Sequence, residues 1–420
     1  MTACERHREH AQAGTTARLE APPLALYVHL PWCVRKCPYC DFNSHAAPEL
    51  LPQQAYIEAL LEDLALDAAR VGERQIVSIF FGGGTPSLFD PDRIGEFLQR
   101  ARDHVRIAMD AEVTLEANPG TIEHGRFADY RAAGVNRVSL GAQSFDPAHL
   151  RRLGRIHDSH DIARAVDELV RAGIENFNLD LMYGLPEQTT AEAIADIDAA
   201  VACAPTHISH YQLTLEPGTV FYHRPPPLPD PEVCWEMQLR CQERLARAGY
   251  EQYEVSAYAR AARRCVHNLN YWRFGDYIGV GAGAHGKITQ PESSSIVRSA
   301  RIRQPREYLS TPSSHRAHVQ HVASEDAAFE YMLNALRLLE GFHARDFEAR
   351  TGVSFTRIAA TVAAARERGL LIEWQPGAYR PTELGQRFLN DLQALFLPGS
   401  EPPQSVPPRQ SSADRQSASS

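Results

Sequence analysis

Leu30-Pro31-Trp32-Cys33-Val34-Arg35-Lys36-Cys37-Pro38-Tyr39-Cys40 is the stretch on which the reading turns. It sets three cysteines in a CxxxCxxC spacing, with an aromatic residue before the third, directly after an apolar run at 25–30 that reads as a β-strand. Clustered cysteine thiolates are the usual ligands of iron–sulfur clusters. A four-iron cluster takes one external ligand per iron, so three thiolates on one tight loop leave one iron open to a further ligand. Cys33, Cys37 and Cys40 fit such a [4Fe-4S] cluster. Zinc is the competing reading, with Asp41 or His45 as fourth ligand, but structural zinc sites usually pair two CxxC halves and no such pair occurs. The remaining cysteines, Cys4, Cys203, Cys234, Cys241 and Cys265, are scattered and suggest no disulfide framework.

Composition bounds the rest. A chain of 420 residues can hold more than one domain, and 44% hydrophobic with 23% charged residues is ordinary globular usage. The net charge of −9 argues against nucleic acid as the main partner. No apolar run approaches the ~20 residues that span a bilayer, which leaves peripheral membrane association at most. Residues 1–22 mix Glu, Arg and His with no apolar core, so they read as a polar tail and not as a signal peptide. Residues 397–420, rich in Pro, Ser and Gln, read as a second disordered tail. An iron–sulfur protein without an export signal is expected in the cytoplasm.

Outward from the cysteines, apolar runs alternate with amphipathic patterns. Strands are expected at 26–30, 76–81, 112–116, 136–140, 176–182 and 207–213. Between them Ile57, Leu60, Leu61 and Leu64 share one helical face, as do Ile94, Phe97 and Leu98, then Ile162, Ala165, Val166 and Leu169, then Ile194, Ile197 and Val201. This alternation is the pattern of an α/β fold with a parallel, helix-covered sheet. Six units are too few for the eight-stranded barrel, so the expectation is an open, partial (β/α)6 TIM-like barrel.

The unusual residues fall after the strand ends, the rim where parallel barrels gather their chemistry. They are the cysteines, Gly82-Gly83-Gly84-Thr85-Pro86, Glu116-Ala117-Asn118-Pro119, Gly141-Ala142-Gln143-Ser144, Asp180 running into Tyr183-Gly184-Leu185-Pro186, and Thr214-Leu215-Glu216-Pro217-Gly218. Glycines let a backbone approach a ligand closely, although turns need glycine anyway. Glu116 can accept from ribose hydroxyls, or be a solvated strand end. Gln143, Arg155 and Asp180 can supply polar contacts in the barrel mouth, an acid there suiting a sulfonium cation, while a surface ion pair is the plainer role for Arg155.

Together these motifs, with Tyr27-Val28-His29-Leu30-Pro31 before the first cysteine, resemble the radical S-adenosylmethionine (SAM) superfamily over roughly residues 23–395. More narrowly they resemble the branch holding oxygen-independent coproporphyrinogen III oxidase and the HemW heme chaperones. The resemblance implies a cluster whose open iron binds the amino and carboxylate groups of SAM. It implies SAM contacts at Tyr27, Gly83, Gly84, Thr85 and Glu116, with Tyr39, Gln143, Arg155 and Asp180 lining the same cavity and, in the oxidase, touching a second SAM. It also implies a low-potential electron donor, flavodoxin or ferredoxin. The oxidase carries a fourth cysteine two residues after the third, where this chain has Phe42. The oxidase also has a longer ordered segment before its cluster loop. The segment Cys265-Val266-His267-Asn268-Leu269-Asn270-Tyr271-Trp272 contains the HNxxYW pattern of the chaperones, and Asp276 to Gly286 follows it. His267 is then the candidate heme ligand, with a loop-capping role as the alternative, and His285 reads as structural. The implied function is heme carriage to respiratory hemoproteins, with homodimeric assembly left open by the motifs; the alternative is radical decarboxylation of coproporphyrinogen III to protoporphyrinogen IX in porphyrin biosynthesis.

The domain expectation is a barrel at 23–220, an extension at 221–320 entered through a proline-rich crossing, and a winged-helix-like α+β module at 321–396. From 325 to 395 eight Arg face ten Asp plus Glu, which does not suit a DNA reader; a lid or docking role fits better.

Overall fold

In the computed structural model, which describes residues 17–121, 126–311 and 315–399, six parallel strands carry the first half of the chain. They are β1 (Leu24–Leu30), β2 (Gln75–Gly83), β3 (Arg106–Ala117), β4 (Arg137–Gln143), β5 (Phe177–Tyr183) and β6 (His207–Gln212). They lie side by side in chain order, every pair parallel. The connections include α1 (Gln53–Val71), α2 (Pro91–Ala101), α3 (Arg126–Ala132), α4 (Ser159–Arg171) and α5 (Thr190–Ala202). Helices α4 and α5 each open on a capping box, Asp158 with Asp161 and Thr189 with Glu192, which satisfies backbone donors the first helical turn leaves free. The expected strands are all present. Strand β3 starts at Arg106 rather than 112, because Arg106 and Ile107 pair with Gln75 and Ile76 before a bulge resets the register.

Alternate strand residues face opposite ways, and the two faces differ in chemistry. The outward side chains, among them Leu26, Ile79, Leu115, Leu140, Leu179 and Ile208, share one core with Ile57, Phe97, Ile162 and Ile197 of the helices. The inward face holds Ser78, Glu112, Thr114, Arg137, Ser139, Asn178 and His207, all buried. Buried polar groups need partners, and these largely find one another: the Asn178 amide donates to Ser139 Oγ at 2.8 Å and its oxygen lies 2.7 Å from His207 Nδ1.

The sheet continues past both edges of this unit. Strand β6 pairs antiparallel with β8 (Ala257–Ala259), and β8 with β7 (Glu251–Glu254). At the other edge β1 pairs in parallel with β9 (Asp276–Val280), followed antiparallel by β10 (His285–Gln290), β11 (Ser295–Arg301) and β12 (Arg316–His321). Among the described residues this makes one twelve-stranded sheet. The strands of the expected extension thus hydrogen-bond directly onto the partial barrel.

After α6 (Pro231–Arg247), which leads into β7, the short helix α7 (Val266–Trp272) lies between those edges against β1 and β2 and plugs the barrel. The Glu112 carboxylate, from inside the barrel, accepts from the backbone amides of Val266 and His267, both at 3.2 Å. A carboxylate at a helix N-terminus satisfies free donors and complements the helix dipole.

Beyond α8 (Ser324–Ala335) come β13 (Phe342–His343), α9 (Ala344–Thr351), α10 (Thr356–Glu367) and a wing of β14 (Leu371–Gln375) and β15 (Ala378–Pro381). Helix, strand, two helices and a two-stranded wing is the order of a winged helix, and it has its own core around Tyr331, Phe347, Leu370 and Leu371. Of the expected N-terminal tail, residues 1–16 lie outside the described residues. Residues 17–22 are not free: Leu19 is buried in that second core, and the Ala17 and Glu20 amides donate to the carbonyls of Gly352 and Ala349. The C-terminal tail from 400 onward also lies outside the described residues. No described helix is long and apolar enough to cross a membrane.

Candidate cluster and cofactor site

The cysteine loop leaves the end of β1 and is tied down at both ends. The Gly84 and Thr85 amides donate to the carbonyls of Leu30 and Trp32, both at 2.8 Å, and Trp32 and Cys33 pair with His45 and Ala46. Gly84 is required by this contact, since a Cβ there would stand 2.5 Å from the Trp32 carbonyl oxygen. Between the ties Cys33, Cys37 and Cys40 are half-buried, and no disulfide engages them. Burial pushes the Cys33 and Cys40 thiols up, so a cation is needed to hold thiolates there.

All three cysteines open into one cavity of about 290 Å³ above the barrel. Tyr39, Gly83, Gly84, Thr85, Glu116, Gln143, Arg155 and Asp180, expected from sequence at separate strand ends, line the same cavity. Asp41 and His45, the candidate fourth ligands of a zinc site, do not. The donor set is thus three soft thiols facing an open space, which fits a cluster with one free iron and does not fit a closed tetrahedral zinc site.

The rim groups are held in place. Arg155 donates to the Gly141 carbonyl at 2.7 Å and approaches Cys37 Sγ at 3.7 Å, so its role is inside the site and not in a surface ion pair. Gln143 ends β4 with φ of 69°, an uncommon backbone for a residue with a side chain, and its oxygen accepts from the Tyr211 hydroxyl at 3.0 Å. Asp180 accepts from Ser139 Oγ at 2.9 Å and Asn178 Nδ2 at 2.8 Å. Glu116 accepts from the Gly83 amide at 3.1 Å. Its carboxyl is pushed up to about 8 by burial and then by the charge of Asp180, against the Gly83 hydrogen bond. Burial likewise raises Asp180. Two part-buried carboxyls, with no salt-bridged Lys or Arg among the described residues, favour a cationic ligand.

Tyr27 sits apart from that cavity. It lines a second one of about 500 Å³ that shares Phe42, Gly83 and Glu116 with the first and adds His29, Tyr271, Tyr277, His285 and Arg303. His267 lies in neither. Its ring stacks on Phe80 at 4.8 Å and stands 6.4 Å from Tyr27, Nδ1 is 3.1 Å from Ser78 Oγ, and the residue is 2% exposed. Burial lowers it to about 3. The rest of the HNxxYW segment is also occupied: Asn270 donates to the Asp276 carbonyl at 2.8 Å, and Arg337 lies 4.3 Å over the Trp272 ring.

Tyr211 and Asn118 line the first cavity without having been singled out as ligand-contacting residues. For Tyr211 the available signal is strand period: it follows Ser209 by two on β6, so it shares the inward face. The expected loop at 214–218 does not reach the cavity.

Comparison with known proteins agrees with this geometry. The profile of the Radical SAM superfamily matches residues 27–200, and that of the HemN C-terminal domain matches residues 322–388. Two curated relatives, each named heme chaperone HemW, are 46% identical. The one from Haemophilus influenzae aligns over 90% of this chain and 98% of its own length. The one from Escherichia coli aligns over 90% and 99%. Among solved structures, coproporphyrinogen III oxidase (HemN) from Escherichia coli superposes with a TM-score of 0.76 at 20% identity, covering 90% of this chain and 91% of that one, a likeness of fold. The chain belongs to the radical SAM superfamily and, within it, to the HemW family.

Proposed function

We propose that this chain is a heme chaperone: it binds heme and hands it to respiratory hemoproteins, with a SAM-binding [4Fe-4S] cluster beside the cargo. Two relatives that bear the name heme chaperone HemW and align with nearly its whole length support the reading. The single observation in the chain itself is the cysteine loop, whose three thiols open on one cavity while Phe42, and not a fourth cysteine, follows at the mouth. The superfamily's cofactors supply one-electron chemistry when bound. Cys33, Cys37 and Cys40 would hold the cluster. Gly83, Gly84, Thr85, Glu116 and Tyr27 would hold SAM, with Tyr39, Gln143, Arg155 and Asp180 closing the cavity around it. Arg155 orients the loop through Cys37 and Gly141, and the part-buried Glu116 and Asp180 favour the sulfonium charge. The reductant is a flavodoxin or ferredoxin. The protein works in the cytoplasm, at most touching the inner membrane face. His267 reaches heme only if α7 withdraws from the barrel.

The competing reading is coproporphyrinogen III oxidation, favoured by the shared fold of HemN. Anaerobic reconstitution with SAM, a strong reductant and coproporphyrinogen III separates the two. The expected result is no doubly decarboxylated product by mass spectrometry, together with saturable heme binding and transfer to an apo-hemoprotein. Sustained product above background would overturn the chaperone reading.

A further inference from the structure

Three histidines surround the barrel mouth, and their surroundings rank them as iron ligands. His29 has both ring nitrogens engaged: Nε2 donates to the Asn43 carbonyl at 2.9 Å and Nδ1 accepts from the Tyr27 hydroxyl at 3.0 Å. His267 is sealed beneath Phe80 with Nδ1 on Ser78. His285 is different. It begins β10, is exposed, lines the 500 Å³ cavity, and its imidazole has no hydrogen bond among the described residues. Although its surface is open to the cavity, partial burial and then the charges of Arg298, Arg303 and Arg301 lower its pKa, which favours the neutral form that a metal requires.

The cavity around it has the other features a flat, carboxylate-bearing ligand needs. Phe42 is 60% exposed, an unusual position for a large aromatic side chain beside a polar cluster loop. Tyr271 and Tyr277 form a second aromatic surface, packed edge-on at 4.6 Å, and Arg298 fixes Tyr277 through its hydroxyl at 2.6 Å. Arg303 lines the cavity, and no ion pair engages it among the described residues. The wall is tied together: Asn43 donates to the carbonyls of both Ala282 and Arg303 at 2.9 Å, and a Cβ on Gly283, whose φ is +83°, would stand 2.3 Å from the Asn43 amide nitrogen. Ligand sites of several hundred Å³ combine apolar walls with placed polar groups, and here the aromatic rings are joined by Asp41, Asn43 and Glu116.

We infer that this second cavity seats the tetrapyrrole, with His285 as the iron ligand, Phe42 and the Tyr271–Tyr277 pair against its faces, and Arg303 on a carboxylate. Aromatic rings pack on a porphyrin face, imidazole binds its iron, and a guanidinium pairs with carboxylates. The inference rests on the heme-carriage reading and refines it. Because Gly83, Glu116 and Phe42 belong to both cavities, a tetrapyrrole seated in the second would border the cluster pocket, and Tyr27, Gly83 and Glu116 would stand where it meets SAM. The cargo and the cluster cofactor therefore share a wall.

The test is ferric heme titration of the full chain, followed by visible absorption and electron paramagnetic resonance. Wild type, His285→Ala, His267→Ala and Arg303→Glu are compared, with iron-free protoporphyrin IX as a second probe. The expected result for His285→Ala is loss of the imidazole-ligation signature, restored by added imidazole. Its heme affinity falls about tenfold or more, while protoporphyrin IX affinity is unchanged. Arg303→Glu weakens both probes about tenfold. His267→Ala keeps the signature. A His285→Ala protein that retains the signature overturns the inference, and so does one in which only His267→Ala loses it. Failure of the wild type to bind heme at all overturns the chaperone reading as well.

Discussion

Glu116 gives a pH test that does not depend on any cofactor. Its side chain is half-buried at the barrel mouth, and its carboxyl is held at about 8 against about 4.3 for a free glutamate. Between those values the folded chain keeps a proton that the unfolded chain has lost, so unfolding releases it. Stability then falls as pH rises, since the unfolded state binds fewer protons. Integration of the linkage relation for this pair of values gives a penalty of about 1 kcal/mol at pH 5, about 4 at pH 7 and about 5 at pH 9. Asp180, also raised, acts in the same direction. Glu116→Gln removes the ionisation while its amide oxygen can still accept from the Gly83 amide, which sits 3.1 Å away. The apo-protein with Gln should therefore be more stable than wild type, and the gap should widen by about 4 kcal/mol from pH 5 to pH 9, on the order of 10 °C in Tm for a domain of this size. SAM binding should move the other way, because the carboxylate is the better acceptor and offsets the sulfonium charge. The assay is thermal unfolding of metal-free wild type and variant across that pH range, with SAM affinity measured on the reconstituted proteins. Parallel Tm curves for the two proteins would refute the burial argument.

Three further perturbations probe separate parts of the site. Cys37→Ala should abolish the broad visible absorption of the reconstituted protein and most of its bound iron; full colour and iron content would remove the cluster assignment. Arg155→Met leaves the three thiols in place but frees the Gly141 carbonyl and Cys37, so cluster content should persist while SAM affinity drops about tenfold or more; unchanged affinity in an equilibrium titration would place Arg155 outside the cofactor contact. Glu112→Gln removes the charge that faces Arg137, itself 2% exposed, at 3.9 Å and weakens the cap on α7. It should cost about 3 kcal/mol and raise amide hydrogen exchange selectively at 265–272, whereas a uniform rise across the sheet would deny α7 an independent opening.

The difference between what was legible and what was not follows the range of the interactions. Six strands and their rim residues could be placed because strand and helix periods are local, and because βα order puts every strand's C-terminal end on one side. That is why Glu116, Gln143, Arg155 and Asp180, far apart in the chain, fall in one cavity as the resemblance implied. Tyr211 was not legible because it is an ordinary inward strand residue, while the turn residues that mark this strand end lie beyond it at 214–218. The HNxxYW segment is the opposite case. Helix α7 is seven residues long, too short for a periodic pattern to say which face is buried. Its orientation is set by Glu112, which lies 154 residues before Val266 in the chain, and by Phe80 and Arg337. From the sequence, the HNxxYW segment reads as one unit with His267 as its candidate heme ligand. On the helix its residues point three ways: His267 into the barrel under Phe80, Tyr271 toward the open cavity, and Trp272 against the winged module. A single short helix thus touches the barrel interior, the candidate cargo cavity and the C-terminal module. Any motion that exposes His267 must break the Glu112 cap, and the Glu112→Gln variant measures how much holds it there.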